Sequence, residues 1–353
     1  MIYNDDQRKI INSNAQNIVV VAAAATGKTA CLAARTAKLL NDGADPERMA
    51  LMTFTNMAAE EMSQRIGNHD GMYIGTIHGY ANQLLLRYGI DTSDVIGTEN
   101  FDDLFELALD NPQCAKQIDY LLVDEAQDLT ELEYQFIFDV IKPKSFFMIG
   151  DHKQSIYGFR GSRPDLFLSL CEREDTTTYS LNKNYRNGYE ILQFAKRIID
   201  KVGYLYIDNS YSAATQNGEV YERDFDADSI VRIVKRSIEN GFSNYRDWFI
   251  LCRFNEAADI MYQRFIDAGL PVETFKRAGM SNTEMEVSLN NDTIKVLTIH
   301  AAKGLEANNV VVVGAKFYSD EEKRISYVAA TRAKNRLFWY NVKTKKKKIM
   351  SWE

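Results

Sequence analysis

The segment Thr26–Thr29, with the sequence TGKT, constrains this chain more than any other feature. It follows a β-branched run, Ile18–Val21, and precedes an Ala- and Leu-rich stretch, Thr29–Leu40. A buried strand that turns through Gly-Lys-Thr into a helix is typical of a loop whose backbone N–H groups surround nucleotide phosphates. The pattern therefore predicts an α/β domain with a parallel sheet and a site for a nucleoside triphosphate.

Residues 121–128, with the sequence LLVDEAQD, form an apolar run that ends in two adjacent carboxylates. In a phosphate loop Lys28 would neutralise the β- and γ-phosphate oxygens, and the Thr29 hydroxyl would reach Mg²⁺. Asp124 is placed to complete the metal site, and Glu125 is placed to activate the attacking water. Together the two segments predict that the chain binds a nucleoside triphosphate with Mg²⁺ and hydrolyses it.

Composition narrows the class of protein and its compartment. The 353 residues are enough for two or three domains with their own cores. The longest apolar run, Ile18–Ala25, is far too short to span a bilayer, and no secretory signal is visible. The scattered cysteines form no CxxC pair, which favours reduced thiols. We therefore expect a cytoplasmic protein that does not associate with a membrane.

The net charge of −7 argues against a protein that coats nucleic acid by bulk attraction, but it does not exclude a local basic groove. The one basic block, Lys343–Lys348, carries five lysines in six positions. A solvated tail is the favoured interpretation of this block, and a supplementary phosphate contact is the alternative.

Strands and helices alternate in two series along the chain, which predicts two α/β lobes with parallel sheets. The expected strands are residues 18–21, 49–53, 120–123 and 146–149 in the first series, and 248–252, 293–298, 310–313 and 336–340 in the second. We expect the first, nucleotide-binding lobe at residues 1–86 and 118–178, with a small helical insertion at 87–117. The second lobe is expected at residues 179–353.

Eight short segments, one of them within residues 121–128, stand out along the chain. They are Asn4–Arg8 (NDDQR), Met52–Asn56 (MTFTN), Gly75–His78 (GTIH), Val123–Asp128 (VDEAQD), Gly150–Gly161 (GDHKQSIYGFRG), Asn184–Arg186 (NYR), Thr298–Glu306 (TIHAAKGLE) and Tyr327–Lys334 (YVAATRAK). On these motifs, which cover nearly the whole chain, the protein resembles the UvrD/Rep-type superfamily-one DNA helicases. The resemblance implies two RecA-like P-loop NTPase lobes that couple ATP hydrolysis to movement on a single strand.

The resemblance also implies which residues bind ATP and Mg²⁺. Nucleotide contacts are implied for Gln7, Ala25, Thr26, Gly27, Lys28, Thr29, Tyr185 and Glu306. Within this set Gln7 pairs with the adenine edge, Tyr185 stacks on adenine and Glu306 meets the ribose. Mg²⁺ is implied to bind Thr29 and Asp124.

Catalytic roles are implied for Lys28, Glu125, Gln154, Arg186 and Arg332. Arg186 and Arg332 resemble the arginines that the second lobe directs at the γ-phosphate, where they stabilise charge in the transition state. Gln154 resembles the residue that senses the γ-phosphate and links hydrolysis to closure of the lobes.

Other motif residues face nucleic acid in the family, namely Phe54, Asn56, His78, Tyr157, Phe159, Arg160, Thr298 and His300. The aromatic rings among them suit stacking on the bases of a single strand, and core packing is the alternative for each ring. The triplet Thr-Ile-His occurs once in each expected lobe, at 76–78 and 298–300, which fits two equivalent grips on one backbone.

The chain departs from the family pattern in two ways. Its phosphate loop reads AAAATGKT, so that Ala23 and Ala25 stand where the family usually has glycines. An alanine forced to positive φ costs about 1 kcal/mol, so the loop could be weakened or retuned for ATP. The long second-lobe insertion of the family is also reduced here to residues 277–291.

We therefore expect an ATP- and Mg²⁺-dependent motor on single-stranded DNA, with 3′-to-5′ direction implied by the resemblance and with a monomeric state in isolation. Two alternatives remain open. One is a nucleic-acid-binding regulator with weak ATPase, suggested by the alanine-rich loop. The other is a motor subunit that acts only with a nuclease or another protein partner, suggested by the reduced insertions.

Overall fold

The structure, a computed structural model, consists of two compact units, Met1–Tyr185 and Arg186–Glu353, which we call the first and second lobes. It describes residues 2–67, 69–97, 100–114, 118–200, 209–275 and 287–341. The basic block at 343–348 lies outside the described residues, and the expected insertion at 277–291 is described only from residue 287 onward.

The first lobe is built on a six-stranded, all-parallel sheet, as the sequence predicted. Its strands are β1 (Asn17–Ala22), β2 (Met49–Thr53), β3 (Tyr73–Thr76), β4 (Tyr120–Val123), β5 (Ser145–Gly150) and β6 (Thr176–Leu181), in the spatial order β3-β2-β4-β5-β1-β6. β6 pairs with β1 along its whole length. A lobe boundary after residue 178, as expected from the sequence, would cut through this strand. The boundary is therefore corrected to one after Tyr185.

Helices cover both faces of the first sheet. One face is covered by α1 (Asp5–Ile11), α2 (Lys28–Asn41) and α3 (Asn56–Ile66). The other is covered by α4 (Ile77–Arg87), α5 (Ser93–Gly97), α6 (Asp103–Leu109), α7 (Glu131–Gln135), a π-helical continuation of α7 (Phe136–Ile141) and α8 (Pro164–Leu170). Alternate strand residues supply the two cores, since Val19 faces α4 and α6 whereas Ile18 and Val20 face α1 and α2.

The expected insertion at 87–117 is helical where it is described, but it does not form a core of its own. Phe105 and Ala108 of α6 are fully buried in the same cluster as the strand residues Leu121 and Val123. The segment is therefore an integral part of one face of the first lobe.

The second lobe repeats the architecture with another six-stranded parallel sheet. Its strands are β9 (Glu219–Asp224), β10 (Trp248–Cys252), β11 (Val272–Phe275), β12 (Ile294–Thr298), β13 (Ala307–Val313) and β14 (Ala333–Asn341), in the order β11-β12-β10-β13-β14-β9. Its helices are α9 (Tyr189–Ile199), α10 (Ala227–Glu239), α11 (Asn255–Asp267) and α12 (Asp320–Ala330). Helices α10 and α11 cover one face, whereas α9 contacts α12 and β14, where Phe194 meets Trp339.

Short elements complete the description. Two-residue strands occur at β7 (Lys183–Asn184) and β8 (Tyr211–Ser212), and 3₁₀ turns at Pro46–Arg48, Pro112–Cys114, Ala126–Asp128, His152–Gln154, Gly158–Arg160 and Tyr245–Asp247. Among the helices that the structure describes, none is both long enough and apolar enough to cross a bilayer.

Because every strand within each sheet runs the same way, all strands of a lobe end at one edge. In the first lobe the loops after β1, β2, β4 and β5 leave from this edge, and they carry the residues that the sequence singled out. The parallel topology therefore brings segments from distant parts of the chain to one surface.

Candidate functional site

The phosphate loop connects β1 to α2 and has the backbone of a compact turn. Ala25 and Gly27 have left-handed φ angles of 56° and 83°, and the Thr26 hydroxyl donates to the Ala23 carbonyl at 2.9 Å. Helix α2 begins at Lys28 behind a glycine N-cap, so no side chain caps its first-turn N–H groups. These N–H groups and the helix dipole fit phosphate oxygens.

The two alanines that replace glycines differ in backbone conformation. Ala25 lies in the left-handed region, where a Cβ is disfavoured, but Ala23 does not. The structure therefore places the strain of the altered loop at one position, Ala25, two residues before Gly27.

We expect Ala25→Gly to relieve this strain and to tighten ATP binding or raise turnover by up to about tenfold, which corresponds to about 1.4 kcal/mol. The measurement is the Kd of a fluorescent ATP analogue together with kcat. Ala23→Gly is the matched control, because the same change of side chain removes no left-handed strain. Equal effects of both substitutions, or a loss with Ala25→Gly, would show that the loop tolerates alanine.

Gln7 and Tyr185 both contact this loop from within the first lobe. Gln7 forms a capping box with Asn4 at the start of α1, and its Nε2 donates to the Thr26 carbonyl at 3.0 Å. The Tyr185 N–H donates to the Ala25 carbonyl at 3.0 Å, while its phenol oxygen accepts from Asn4 Nδ2 at 2.7 Å. The Tyr185 side chain is exposed, and the Lys183 ammonium lies 5.4 Å from the centre of its ring.

The two carboxylates follow β4 and face the loop lysine. The Lys28 ammonium lies 3.2 Å from Glu125 Oε2, and the Glu125 N–H donates to Asp124 Oδ1 at 2.9 Å. Burial raises the pKa of Asp124 to about 7, and the neighbouring Glu125 adds to the effect. Burial opposes the charge of Lys28, but Glu125, Asp151 and Asp124 outweigh it and raise the lysine pKa.

The donors at this edge fit a magnesium ion that is bound mainly through phosphate. Within the described part of the chain, no group of three or more His, Cys, Asp or Glu side chains could hold a metal by itself. Mg²⁺ is commonly bound through one or two protein oxygens together with substrate phosphates and water. The Thr29 hydroxyl and the Asp124 carboxylate could supply the protein oxygens.

Gln154 lies one turn after β5 and belongs to the same network. Its Nε2 donates to Asp151 Oδ2 at 2.7 Å, and the Asp151 N–H donates to Gln127 Oε1 at 2.8 Å. The Gln127 Nε2 in turn donates to Glu125 Oε2 at 2.6 Å. Neither Gln127 nor Asp151 was predicted to take part in the site, although Gln127 lies in the same short segment as the carboxylates.

In the second lobe Arg186 and Glu306 are brought together. Arg186 forms an ion pair with Glu306 through Nε, and Lys334 approaches the other carboxylate oxygen of Glu306 at 2.6 Å. Burial opposes ionisation of Glu306, but Arg186 and Lys334 outweigh it and lower its pKa. Arg186 also donates to the Thr331 carbonyl at 3.2 Å, which ties it to the turn that carries Arg332.

Arg332 is only 2% exposed, and its guanidinium bonds inside its own lobe. It donates to the carbonyls of Val328 and Leu305 at 3.0 and 3.3 Å, and to the Thr331 hydroxyl at 3.2 Å. In this structure Arg332 therefore stabilises the turn after α12, in addition to any contact with nucleotide.

The nucleic-acid candidates of the first lobe form an aromatic cluster on the loops after β2 and β5. Phe54 stacks on Tyr157 with ring centres 4.7 Å apart, and the Arg160 guanidinium lies 5.0 Å above Phe54. Phe159 is 72% exposed, as a stacking platform requires, but Tyr157 is only 8% exposed. The buried Tyr157 ring therefore supports the Phe54 ring that stacks on it. Asn56 is exposed at the start of α3.

His78 lies at the start of α4, next to this cluster. Its Nε2 is 3.3 Å from Asp102 and its Nδ1 is 3.9 Å from Glu133. Burial lowers the pKa of His78, so the ring is mainly neutral at pH 7. One narrow cleft is lined by Phe54, His78 and Arg160 together with Asp124 and Glu125, so that the two sets of candidates share a surface.

The buried Glu133 next to His78 gives a prediction about stability. Burial raises its pKa to about 7, with a smaller contribution from Asp102. Between its unfolded pKa near 4.5 and pH 7, the folded state keeps a proton that the unfolded state has released, so the free energy of unfolding falls as pH rises.

At pH 8 the free energy of unfolding of Glu133→Gln should therefore be about 3 kcal/mol higher than that of wild type, because the amide cannot ionise. The difference should vanish near pH 4. Urea denaturation at the two pH values measures this. Glu131→Gln, an exposed position on the same helix, should show no such dependence. A constant difference between pH 4 and pH 8 would contradict the assignment.

Thr298 and His300 lie at the corresponding edge of the second sheet, where β12 ends. The Thr298 hydroxyl accepts from the Ala301 N–H at 3.2 Å, and in the first lobe the Thr76 hydroxyl accepts from the Gly79 N–H at 3.1 Å. Each Thr-Ile-His segment thus begins at the last residue of a parallel strand, with a threonine hydroxyl that accepts from the N–H three residues further on.

Comparison with known families agrees with this architecture. Residues 3–107 and 101–175 match the UvrD/REP helicase N-terminal domain, and residues 273–344 match the UvrD-like helicase C-terminal domain. Two parallel sheets and a phosphate loop define a P-loop protein with two RecA-like lobes. The chain belongs to the UvrD/Rep-type helicase family.

Several curated proteins are similar along most of this chain. The putative ATP-dependent DNA helicase YjcD of Bacillus subtilis is 25% identical over 76% of this chain and 48% of its own length. A probable DNA helicase of Mycoplasma pneumoniae is 23% identical over 96% of this chain and 83% of its own length. DNA helicase II of Escherichia coli is 24% identical over 77% of this chain and 51% of its own length. The chain thus spans about half the length of YjcD and of DNA helicase II.

Proposed function

We propose that this chain is an ATP- and Mg²⁺-dependent motor that translocates on single-stranded DNA in the 3′-to-5′ direction. The observation that carries the proposal is the narrow first-lobe cleft, where Phe54, His78 and Arg160 lie beside Asp124 and Glu125. A DNA strand held by Phe54, His78 and Arg160 would lie close enough to influence ATP hydrolysis at the two carboxylates. Membership of the helicase family supports the same reading.

In the proposed reaction the first lobe binds and hydrolyses the nucleotide. The Lys28 ammonium and the N–H groups at the start of α2 hold the β- and γ-phosphates, and Glu125 accepts a proton from the attacking water. Thr29 and Asp124 would hold Mg²⁺, which neutralises phosphate charge when bound. Gln154 detects the γ-phosphate through the loop after β5.

The remaining nucleotide contacts are proposed from both lobes. Gln7 pairs with adenine, Tyr185 stacks on it, and Glu306 meets the ribose. Arg186 and Arg332 stabilise the charge that develops on the transferred phosphoryl group. The ion pair of Arg186 with Glu306 keeps that guanidinium ordered at the edge of the second lobe.

Each lobe supplies one grip on the strand. In the first lobe Phe54 and Phe159 stack on bases, supported by Tyr157, while Asn56, His78 and Arg160 contact the backbone. In the second lobe Thr298 and His300 form the other grip. Alternating changes of the two grips during ATP turnover would move the strand past the protein.

Two further candidates each have an observation in their favour. The left-handed φ of Ala25 favours a nucleic-acid-binding regulator with weak ATPase. The reduced second-lobe insertion, residues 277–291 of the sequence, favours a motor subunit that needs a partner, such as a nuclease, for its biological activity. The rate of ATP hydrolysis with and without oligo(dT) distinguishes the regulator from the motor. The rate of duplex unwinding with and without added partner proteins tests the partner-dependent subunit.

We expect the isolated chain to translocate well but to separate duplex weakly. A segment as short as residues 277–291 is too small to form a domain with its own core that could engage duplex. Opening a base-pair step requires about 1.4 kcal/mol, which ATP hydrolysis can supply, so the limit is grip and not energy.

The test of this expectation compares two single-turnover assays on one preparation. The first displaces streptavidin from a biotinylated single strand, and the second separates a duplex with a 3′ tail. Glu125→Gln serves as the inactive control in both. Fast displacement with slow separation is expected, whereas processive unwinding by the chain alone, or no displacement at all, would contradict it.

A further inference from the structure

Gln127 is a fully buried amide between the catalytic carboxylate and the loop that carries the aromatic cluster. It is 0% exposed and lies in the 3₁₀ turn after β4. Its Nε2 donates to Glu125 Oε2 at 2.6 Å and to Asp128 Oδ2 at 3.3 Å, while its Oε1 accepts from the Asp151 N–H at 2.8 Å. The two ends of one side chain therefore contact two different functional segments.

The position of this amide is fixed by the backbone of β5. A Cβ added to Gly150 would lie 2.4 Å from Gln127 Oε1, closer than atoms can pack, and 3.1 Å from the Gln127 backbone nitrogen, which is a tight contact. Glycine at this position is what allows the amide to reach the Asp151 N–H. A movement of the end of β5 is therefore transmitted directly to Gln127.

Asp151 continues the connection toward the aromatic cluster. Its carboxylate accepts from the Lys153 N–H at 3.1 Å and from Gln154 Nε2 at 2.7 Å, which shapes the turn that begins the loop. The same loop leads on to Tyr157, which stacks on Phe54. A strand that displaces these rings would shift the turn, and with it Asp151 and Gln127.

We propose that Gln127 is a positioning residue that orients the Glu125 carboxylate according to whether the loop after β5 holds a single strand. This inference rests on the proposed function, because it explains how a strand would accelerate ATP hydrolysis. Gln127 itself touches neither the nucleotide nor the strand in this account. It acts by holding one carboxylate oxygen of Glu125, which orients the carboxylate that would accept the proton of the attacking water.

The substitution that isolates this role is Gln127→Glu. The new carboxylate keeps an oxygen that can accept from the Asp151 N–H, but it loses the N–H that donates to Glu125. The contact with Asp128 Oδ2 is lost as well, so the new side chain keeps its link to Asp151 but repels the carboxylates of Glu125 and Asp128. Gln127→Met, which keeps the length of the side chain without polar atoms, provides a second variant if the first folds poorly. Gln135→Glu, at an exposed position of α7, is the matched control.

The experiment measures kcat for ATP hydrolysis with and without saturating oligo(dT), together with the Kd of a fluorescent ATP analogue, the Kd of labelled oligo(dT) and the Tm. The stimulation ratio is kcat with oligo(dT) divided by kcat without it. Gln127→Glu is expected to reduce this ratio at least about tenfold, since small displacements of a catalytic group have effects of this size or larger. Both Kd values should stay close to wild type, and Gln135→Glu should keep the full ratio.

The possible results separate this inference from the proposed function. A purely structural role would lower Tm and kcat but leave the stimulation ratio unchanged, and that result in both Gln127 variants would overturn the inference alone. A wild-type chain that oligo(dT) does not stimulate would overturn the proposed function and the inference with it. A lost ratio with intact binding of both ligands supports the inference.

Discussion

Glu125→Gln lowers ATP turnover by about two or more powers of ten and leaves ATP binding in place. An amide has the shape of the carboxylate but cannot accept the proton of the attacking water. The hydrogen bond from Gln127 can be kept by the amide oxygen, so the local structure should persist. Only the ion pair with Lys28 is lost, and in the bound state the phosphates can replace it.

The measurement is single-turnover hydrolysis at saturating ATP, with the Kd of a fluorescent ATP analogue determined in parallel. Glu131→Gln is the control, because that carboxylate is exposed in the same lobe and pairs only at the surface with Arg163. The control should turn over like wild type. Hydrolysis by Glu125→Gln at the wild-type rate would show that another group activates the water.

Arg186→Ala should reduce turnover by about three powers of ten, the lower end of the range for arginines that stabilise phosphoryl transfer. Binding of ATP should weaken much less, because the charge that the guanidinium meets develops mainly in the transition state. In the structure Glu306 keeps its second partner, Lys334, so the edge of the second lobe should stay folded.

Arg186 is a better test than Arg332 because Arg332 is also a structural residue. The Arg332 guanidinium is buried and donates to oxygens of its own lobe, so its removal would mix a folding defect with a kinetic one. Arg232→Ala, an exposed arginine of the same lobe that pairs with Asp226, is the control. Equal turnover by Arg186→Ala and Arg232→Ala would remove Arg186 from the reaction.

The fold was predictable from sequence where hydrophobic pattern and parallel topology act together. Ile18–Val21 and Val310–Val313 read as buried central strands, and both occupy interior positions of their sheets. The expected lobe boundary after residue 178 fell instead inside β6, an edge strand with exposed threonines. An edge strand is solvated along one side and partly on its faces, so its composition resembles that of a loop.

The site was predictable to the extent that its residues follow strand ends. Lys28, Asp124 and Gln154 were expected together, and the first lobe brings their segments to one edge because its strands are parallel. The contact made by Gln127 was not predictable, since the backbone N–H it binds belongs to Asp151, in the loop directly after another strand, β5. Nor does the sequence reveal that Tyr157 is covered by Phe54 while Phe159 is exposed.

The central claim is that this chain hydrolyses ATP and that a single strand accelerates the reaction. Its most direct test is steady-state ATP hydrolysis in the presence of Mg²⁺, titrated in parallel with single-stranded DNA, duplex DNA and RNA. We expect single-stranded DNA to raise the rate of hydrolysis saturably by about tenfold or more, which corresponds to an activation barrier lower by at least about 1.4 kcal/mol. Blunt duplex should raise the rate much less. A rate that stays the same at every concentration of single-stranded DNA would contradict the central claim.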